Sequence, residues 1–573
     1  MRKKITLTLA LIIANIIIVN ACTNFLVGKK ASVDGSTLIS YSADSYWLYG
    51  ALYHYPAAKY PEGAKMDVYE WDTGKYLGQI AQARETYNVI GNMNEYQLAI
   101  GETTYTGREE LIDTTGLIDY GSLIYITLQR AKNAREAIYT MVKLVEEYGY
   151  YSSGESFSIA DPNEIWIMEL IGKGPGSKGA VWVAQRIPDD CISAHANQAR
   201  ITTFAMESRK NKTSISSKNL KKIYNPEVTT VYAYDVIDFA RSKGYFNGKN
   251  EEFSFSDTYN PLDFGGVRFC EARVWSFFNR FNKEVGAKYL SYIQCETKER
   301  MPLYIKADRL LSAQDIKDAM RDHYEGTPLD MTKGMGCGPY NSVYRMTPLT
   351  YKHNGVEYYH ERPVGTQQTG FTFVAQMRSS LPNEIGGILW FGVDDATCNV
   401  YVPIYTCSTE VPKSMQEGNG TMLEFSWTSA FWVNNWVAQM VYNRYSELMP
   451  DLRKHQIELE NAFTNQVKAS DAKAMQLMKT NPSEVRPFLT QCSKLSAEKA
   501  LTTWKKLGEY FMVKYLDGAI KGEQNGKFMQ NEKHIPGKVL RPGYSKEYIE
   551  HELVNPNPER FKAKTAEEMN KRK

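Results

Sequence analysis

The sequence predicts an α+β protein, and three observations carry that prediction. Short β-branched and aromatic runs separated by Gly, Asn, Asp and Pro recur from Thr23 to Cys407, the pattern of strands joined by turns. Within that region, one stretch from about Gly121 to Tyr148 places Leu123, Leu128, Ala131, Ala134, Ile138, Met141, Val142 and Val145 near a 3.6-residue period. From about Trp427 the pattern changes to long helices. With 573 residues, the chain can hold one large domain with additions or several domains.

In order along the chain, Thr23 to Val27 and Ser36 to Tyr41 read as strands of a hairpin across the turn-rich Lys29 to Gly35. "NVIGNMNEYQLAIGETTY" reads as a second strand pair turning at Asn92 to Glu95, and the helical stretch that follows has Gly149 as its stop. "EIWIMELIGKGPGSKGAVWVAQRI" is a further hairpin. Its GxGxG loop opens no helix, so it lacks the context of a phosphate-binding turn. Three or four β-rich runs occupy Gly370 to Cys407. Helices are expected from Trp427 to Pro450, near Leu452 to Met478, and from Ala497 to Tyr515; a polar tail follows Gly522.

Composition bounds the function. A net charge of +3 from 68 basic and 65 acidic residues supplies no field for nucleic acid or an anionic membrane. "MRKK" followed by an apolar run from Ile5 to Val19 reads as a secretory signal. That run is shorter than the roughly 20 residues a permanent membrane span needs. Eight cysteines, with no CxxC pair, imply no disulfide framework. There is no HExxH, Walker loop, GxSxG elbow or zinc-ligand spacing. His353 and His360 flank a turn without a Cys or Asp cluster, so no metal is expected. His195 reads as a packed or hydrogen-bonded residue near a strand end rather than a base.

Cys22 remains, at the junction of export signal and globular chain, with three readings. A lipoprotein acceptor would follow a lipobox, but Val19 and Asn20 match one imperfectly. A buried inert thiol is the second reading. In the third, cleavage after Ala21 makes Cys22 the first residue, so its thiol and its own α-amine form a nucleophile and base in one residue. An α-amine titrating at about 7.7–8.0 can accept the thiol proton.

The segments "ACTNFLVGKKASVDGSTLIS", "NMNEYQLAIGETT", "GAVWVAQRIPDDCISAHANQARI", "PLDFGGVRFCEARVW", "HYEGTPLDM" and "TQQTGFTFVAQMRSSLP" together resemble secreted dipeptidases of the PepD type, in the cysteine N-terminal-nucleophile (Ntn) hydrolase superfamily. The resemblance implies a four-layer αββα sandwich, with Cys22 as nucleophile at the start of a central strand. It divides the chain into a signal peptide (1–21), a catalytic domain (22–425), a helical region (426–522) and a polar extension (523–573). It assigns Asp44 to positioning the Cys22 amine and Asn197 to stabilising the oxyanion. Arg273 becomes the supporting arginine, with Arg268 a close competitor. Glu102 falls near the pocket mouth, where a carboxylate would bind a substrate amine or make a structural salt bridge. Family members often carry "RND" where this chain has "YSAD", so Tyr41 replaces an expected arginine.

The implied activity is exported, cofactor-free hydrolysis of dipeptides or short peptides in the periplasm or outside the cell, after maturation by signal peptidase. Two alternatives stay open: a related Ntn amidase of the penicillin V or bile-salt type, and a non-catalytic surface lipoprotein anchored through acylated Cys22. Homo-oligomerisation is also left open.

Overall fold

A computed structural model describes residues 22–554, 562, 563 and 565. The expected signal peptide lies outside the described residues. The principal strands are β1 (Asn24–Val27), β2 (Thr37–Asp44), β3 (Ala99–Thr106), β4 (Gly154–Ala160), β5 (Ile165–Gly172), β6 (Ala180–Ile187), β7 (Ile192–His195), β8 (Thr369–Met377), β9 (Gly387–Val393) and β10 (Val402–Tyr405). Among the described residues they build two large antiparallel sheets. One is seven-stranded, with Tyr304–Ile305 at its edge followed by β7, β1, β2, β8, β9 and β10. The other is nine-stranded and runs β6, β5, β4, β3 through its centre.

The principal helices are α1 (Tyr120–Leu128), α2 (Ala134–Tyr148), α3 (Ala272–Phe281), α4 (Lys283–Ile293), α5 (Ala430–Asn443), α6 (Tyr445–Thr480) and α7 (Val485–Lys514). α1 and α2 pack on β3 to β6, whereas α3 packs on β7, α5 on β9, and α6 and α7 on β10. Each sheet thus meets the other sheet on one side and helices on the other. This explains why strands such as β5, "IWIMELIG", are buried at every position rather than alternating between apolar and polar. The C-terminal helices belong to this packing: Tyr405 N donates to Ser493 Oγ at 3.0 Å, and the Trp504 indole donates to Cys398 O at 3.0 Å.

The first hairpin forms as expected, with Leu26 opposite Ile39 and Val27 opposite Leu38. Four expectations are corrected. The turn placed at Asn92 to Glu95 is two turns: Val89–Ile90 pairs with Met93–Asn94, and a second turn leads into β3. Gly91 and Gln97 take positive φ there, and Asn94 Oδ1 accepts from Tyr96 N and Leu98 N. The helical stretch from Gly121 is broken after Leu128. Asn94 Nδ2 binds the carbonyls of Leu128 and Ala131, each at 2.8 Å, and Asn133 caps the new helix by accepting from Glu136 N. Pro450 does not end a helix. The break falls at Arg444, and Pro450 lies inside α6, in its second turn, where the helix continues through it. α7 also begins at Val485, twelve residues before the expected Ala497.

Candidate active site

The register of the seven-stranded sheet gathers the site at one end of its strands. Thr23 forms a bridge with Ser42, Asn24 lies opposite His195, and Asp44 lies opposite Thr369. Cys22, Asp44 and the segment after β7 therefore converge, although they are far apart in sequence.

Cys22 is buried. Its thiol lies 3.6 Å from Glu102 Oε1 and 3.7 Å from the Tyr41 hydroxyl, which itself donates to Glu102 Oε1 at 2.5 Å. Burial, followed by the nearby Glu102 and Asp44 carboxylates, pushes the thiol well above its ordinary value. A thiol in this setting is protonated and needs a base before it can act as a nucleophile. Tyr41, which stands where an arginine was expected, supplies a hydroxyl and no charge.

Glu102 reaches the thiol because Gly101 lets the sheets come together: a Cβ there would lie 2.4 Å from Asn24 Oδ1. Asn24 Nδ2 in turn donates to the Glu102 carbonyl at 2.5 Å. Burial raises the Glu102 carboxyl to about 7.

Arg273 follows a wide helical turn at Gly266–Glu271 that opens α3. Its Nη1 donates to Cys22 O at 2.6 Å and Thr23 Oγ1 at 2.8 Å; its Nη2 donates to Ala196 O at 3.0 Å and Asn197 Oδ1 at 2.9 Å. Arg268 turns away, to Ile293 O and the Glu361 carboxylate. Of the two arginines, Arg273 is the one that meets Cys22. Burial, then the neighbouring Arg362, lowers the Arg273 guanidinium.

Asn197 takes φ 63°, a left-handed conformation that asparagine tolerates, and its Nδ2 donates to Thr104 O at 2.6 Å. The side chain thus joins Arg273 to β3. Asp44 is held by Arg362 Nη2 at 2.6 Å, Thr369 Oγ1 at 2.6 Å and Ser42 Oγ at 3.1 Å. Arg362 was not anticipated. Its only sequence clue is that it lies just before the "TQQTG" segment.

His195 is buried between Thr103 Oγ1 at 2.7 Å and Ser158 Oγ at 2.6 Å, linking the two sheets. Burial, then Arg200, lowers it to about 3, so it is neutral at physiological pH, and both its ring nitrogens are engaged by hydroxyls.

A cavity of about 610 Å³ lies beside this group, lined in part by Thr104, Glu155, Asn197, Gln198, Phe269 and Cys270. Neither Cys22 nor Glu102 is part of that lining; both are buried, so Glu102 does not lie at the expected place near the pocket mouth. Among the described residues, all eight cysteines are free, no group of ligands could hold a metal ion, and no helix is long and apolar enough to cross a membrane.

A shielded thiol within a peptidase-like array of carboxylate, amide and guanidinium places the chain among cysteine-type peptidases, and the family comparison agrees. Residues 21–52 and 47–458 match the model of peptidase family C69, and the chain belongs to that family. The match runs into α6, past the boundary drawn at residue 425. The chain is 27% identical over 461 residues to Dipeptidase A of Lactobacillus helveticus, covering 74% of this chain and 84% of the relative. It is 24% identical over 491 residues to a probable dipeptidase of Latilactobacillus sakei, covering 82% and 90% respectively. It is 25% identical over 404 residues to a probable dipeptidase of Salmonella dublin, covering 67% and 81%.

Proposed function

We propose that the chain is an exported dipeptidase that uses Cys22 as an N-terminal nucleophile, on an αββα Ntn-hydrolase scaffold. The observation that carries this is the Cys22 thiol 3.6 Å from Glu102, with its own carbonyl gripped by Arg273, in a member of family C69. Removal of residues 1–21 frees the Cys22 α-amine, which supplies the base that the protonated thiol requires. The thiolate attacks the scissile carbonyl of a dipeptide, and the Asn197 amide donates to the developing oxyanion. The protonated α-amine then donates to the leaving amine, and water hydrolyses the thioester. Asp44, fixed by Arg362 and Thr369, keeps the Cys22 end of the sheet in register, and Arg273 positions Cys22 through its carbonyl. No step needs a cofactor.

The dipeptidase reading is favoured over the penicillin V or bile-salt amidase reading by the charge of the cavity. Its lining includes Glu70, Asp72, Glu155 and Asp263 and no Lys, Arg or His. An anionic amide would be repelled there, whereas a peptide's free amine would be attracted. The division into catalytic domain, helical region and polar extension is kept in this reading, with α6 and α7 serving as an outer layer of the catalytic unit.

The test is intact mass and N-terminal sequencing of exported protein, followed by a dipeptide hydrolysis assay with Cys22→Ser in parallel. A free Cys22 terminus and activity abolished in the variant are expected. A diacylglycerol-modified or uncleaved terminus, or activity unchanged without the thiol, overturns the proposal, and the diacylglycerol modification alone favours the lipoprotein.

A further inference from the structure

Glu102 on β3 and Glu155 on β4 are diagonal neighbours on one face of their sheet, because Thr104 pairs with Glu155 and Glu102 with Phe157. Both are buried. Each has one oxygen held by a protein hydroxyl: Tyr41 donates to Glu102 Oε1 at 2.5 Å and Thr104 donates to Glu155 Oε1 at 2.6 Å. The other oxygen of each, Glu102 Oε2 and Glu155 Oε2, receives no hydrogen bond from any donor group. Buried carboxylate oxygens are normally satisfied, so two neighbouring orphans call for a missing donor. The carboxyls can share one proton between them: the hydrogen bond from Glu155 favours the ionised form of Glu102, whereas Glu102 disfavours ionisation of Glu155.

Among the described residues no side-chain cation pairs with them, and the Cys22 α-amine freed by maturation is committed in the proposed mechanism to the thiol proton. The titratable side chains that face the pair include Cys22, Tyr41, Asp72, Tyr105, Tyr120, Tyr125 and Tyr150, all acidic or neutral. Glu155 also forms part of the cavity wall, and it pairs with Glu102, which touches the thiol.

We infer that Glu102 and Glu155 together form the receptor for the protonated α-amine of the substrate's first residue, with Glu155 a substrate-binding residue in its own right. This rests on the dipeptidase reading and deepens it. In the amino-terminal residue of a peptide, the amine is attached to the carbon next to the scissile carbonyl. A thiol in contact with Glu102 can therefore reach that carbonyl only when the amine lies against this pair. An ammonium group has three donors, enough to meet both orphan oxygens. Above about pH 7, where Glu102 is ionised, the pair in the free enzyme holds one shared proton and a charge of −1. On binding, the ammonium replaces that proton, which passes to solvent, and the buried charge stays at −1. The site therefore selects unblocked amino termini.

Three measurements test this. The wild-type enzyme is expected to hydrolyse Ala-Ala at least a hundredfold better, in kcat/KM, than N-acetyl-Ala-Ala. Glu155→Gln should lower kcat/KM for Ala-Ala at least tenfold, chiefly by raising KM, with partial rescue in Glu155→Asp. Calorimetry of Ala-Ala binding to Cys22→Ala near pH 7.5, in buffers of different ionisation enthalpy, should show proton release that disappears in the Cys22→Ala/Glu155→Gln double variant. Equal use of blocked and unblocked substrates, an unchanged KM in Glu155→Gln, or binding without proton release overturns the inference while leaving the dipeptidase reading intact. Proton-linked binding without hydrolysis by the wild type overturns the hydrolase reading and supports the amine receptor.

Discussion

Arg273 Nη1 donates to the backbone carbonyl of Cys22 at 2.6 Å, across 251 residues of sequence. The same guanidinium holds Thr23, Ala196, Asn197 and, through Nε, Phe269 O at 2.7 Å. It fixes the residue that carries the thiol relative to the residue assigned to the oxyanion. Because Cys22, Thr23 and Ala196 are buried, its removal would leave several buried acceptors unpaired.

Arg273→Lys is therefore expected to lower kcat at least tenfold and to destabilise the fold by about 2–4 kcal/mol, since an ammonium cannot reproduce the planar fork. Arg268→Lys, whose parent contacts Ile293 and Glu361 instead, should keep kcat of the folded enzyme within about threefold, the scale of indirect effects. Thermal unfolding and steady-state kinetics on both variants test the distinction.

Tyr41→Phe removes the hydroxyl that donates to Glu102. That hydrogen bond favours the ionised carboxylate, so its loss raises the Glu102 carboxyl above about 7. The acid limb of the kcat/KM profile should move to higher pH, with activity recovered in more alkaline buffer. An unmoved limb would disconnect Tyr41 from the ionisation that governs activity.

Glu102→Gln should separate stability from activity. The folded carboxyl is raised to about 7 from an ordinary carboxyl value near 4.5. The native state therefore binds more protons across that window, and this group's contribution to stability is lost as pH rises from about 4.5 through 7. The variant should match the wild type near pH 4.5, exceed it in melting temperature above pH 7 by on the order of a few degrees, and lose dipeptide turnover. Melting curves across pH, with kinetics at pH 8, are the check.

His195→Gln should cost about 1–3 kcal/mol by disturbing a buried bridge between Thr103 and Ser158. Because the folded imidazole is lowered to about 3, the wild type loses stability as pH falls from about 6.5 toward 3, and the variant should lose less over that range. Turnover by the folded variant should stay within about threefold of wild type, as expected of a residue outside the chemistry. A loss of a hundredfold or more would make His195 a catalytic base.

Gly101→Ala places a methyl group 2.4 Å from Asn24 Oδ1 and 3.4 Å from Tyr41 Cβ, between the two sheets. Relief requires the sheets to move apart, so a stability loss of about 1–3 kcal/mol is expected together with reduced turnover. Full activity at wild-type melting temperature would show that the approach of β3 to β1 is not needed.

Much of this was legible in the sequence. Strand and helix periods depend on neighbouring residues, so the hairpin at Asn24, the hairpin at Ile165 and the C-terminal helices could be read locally, and Cys22 stood out by its position after an apolar leader. The motif segments carried the resemblance to PepD-type enzymes and pointed to Asp44, Glu102, Asn197 and Arg273. What local pattern could not supply was the partner of each charge. Asp44 meets Arg362 across 318 residues, Glu102 meets Glu155 across two strands, and Arg273 rather than Arg268 reaches Cys22. These pairings depend on sheet register and on which way a helix turns after Gly266. The break after Leu128 was hidden for the same reason: the side chain that ends α1 comes from Asn94, on another segment. Chain-local preference determined which elements form and where the thiol sits in the sequence. Only tertiary packing decided that the thiol would be buried, protonated and faced by two carboxylates, because burial and long-range charge set those properties and neither has a local signature.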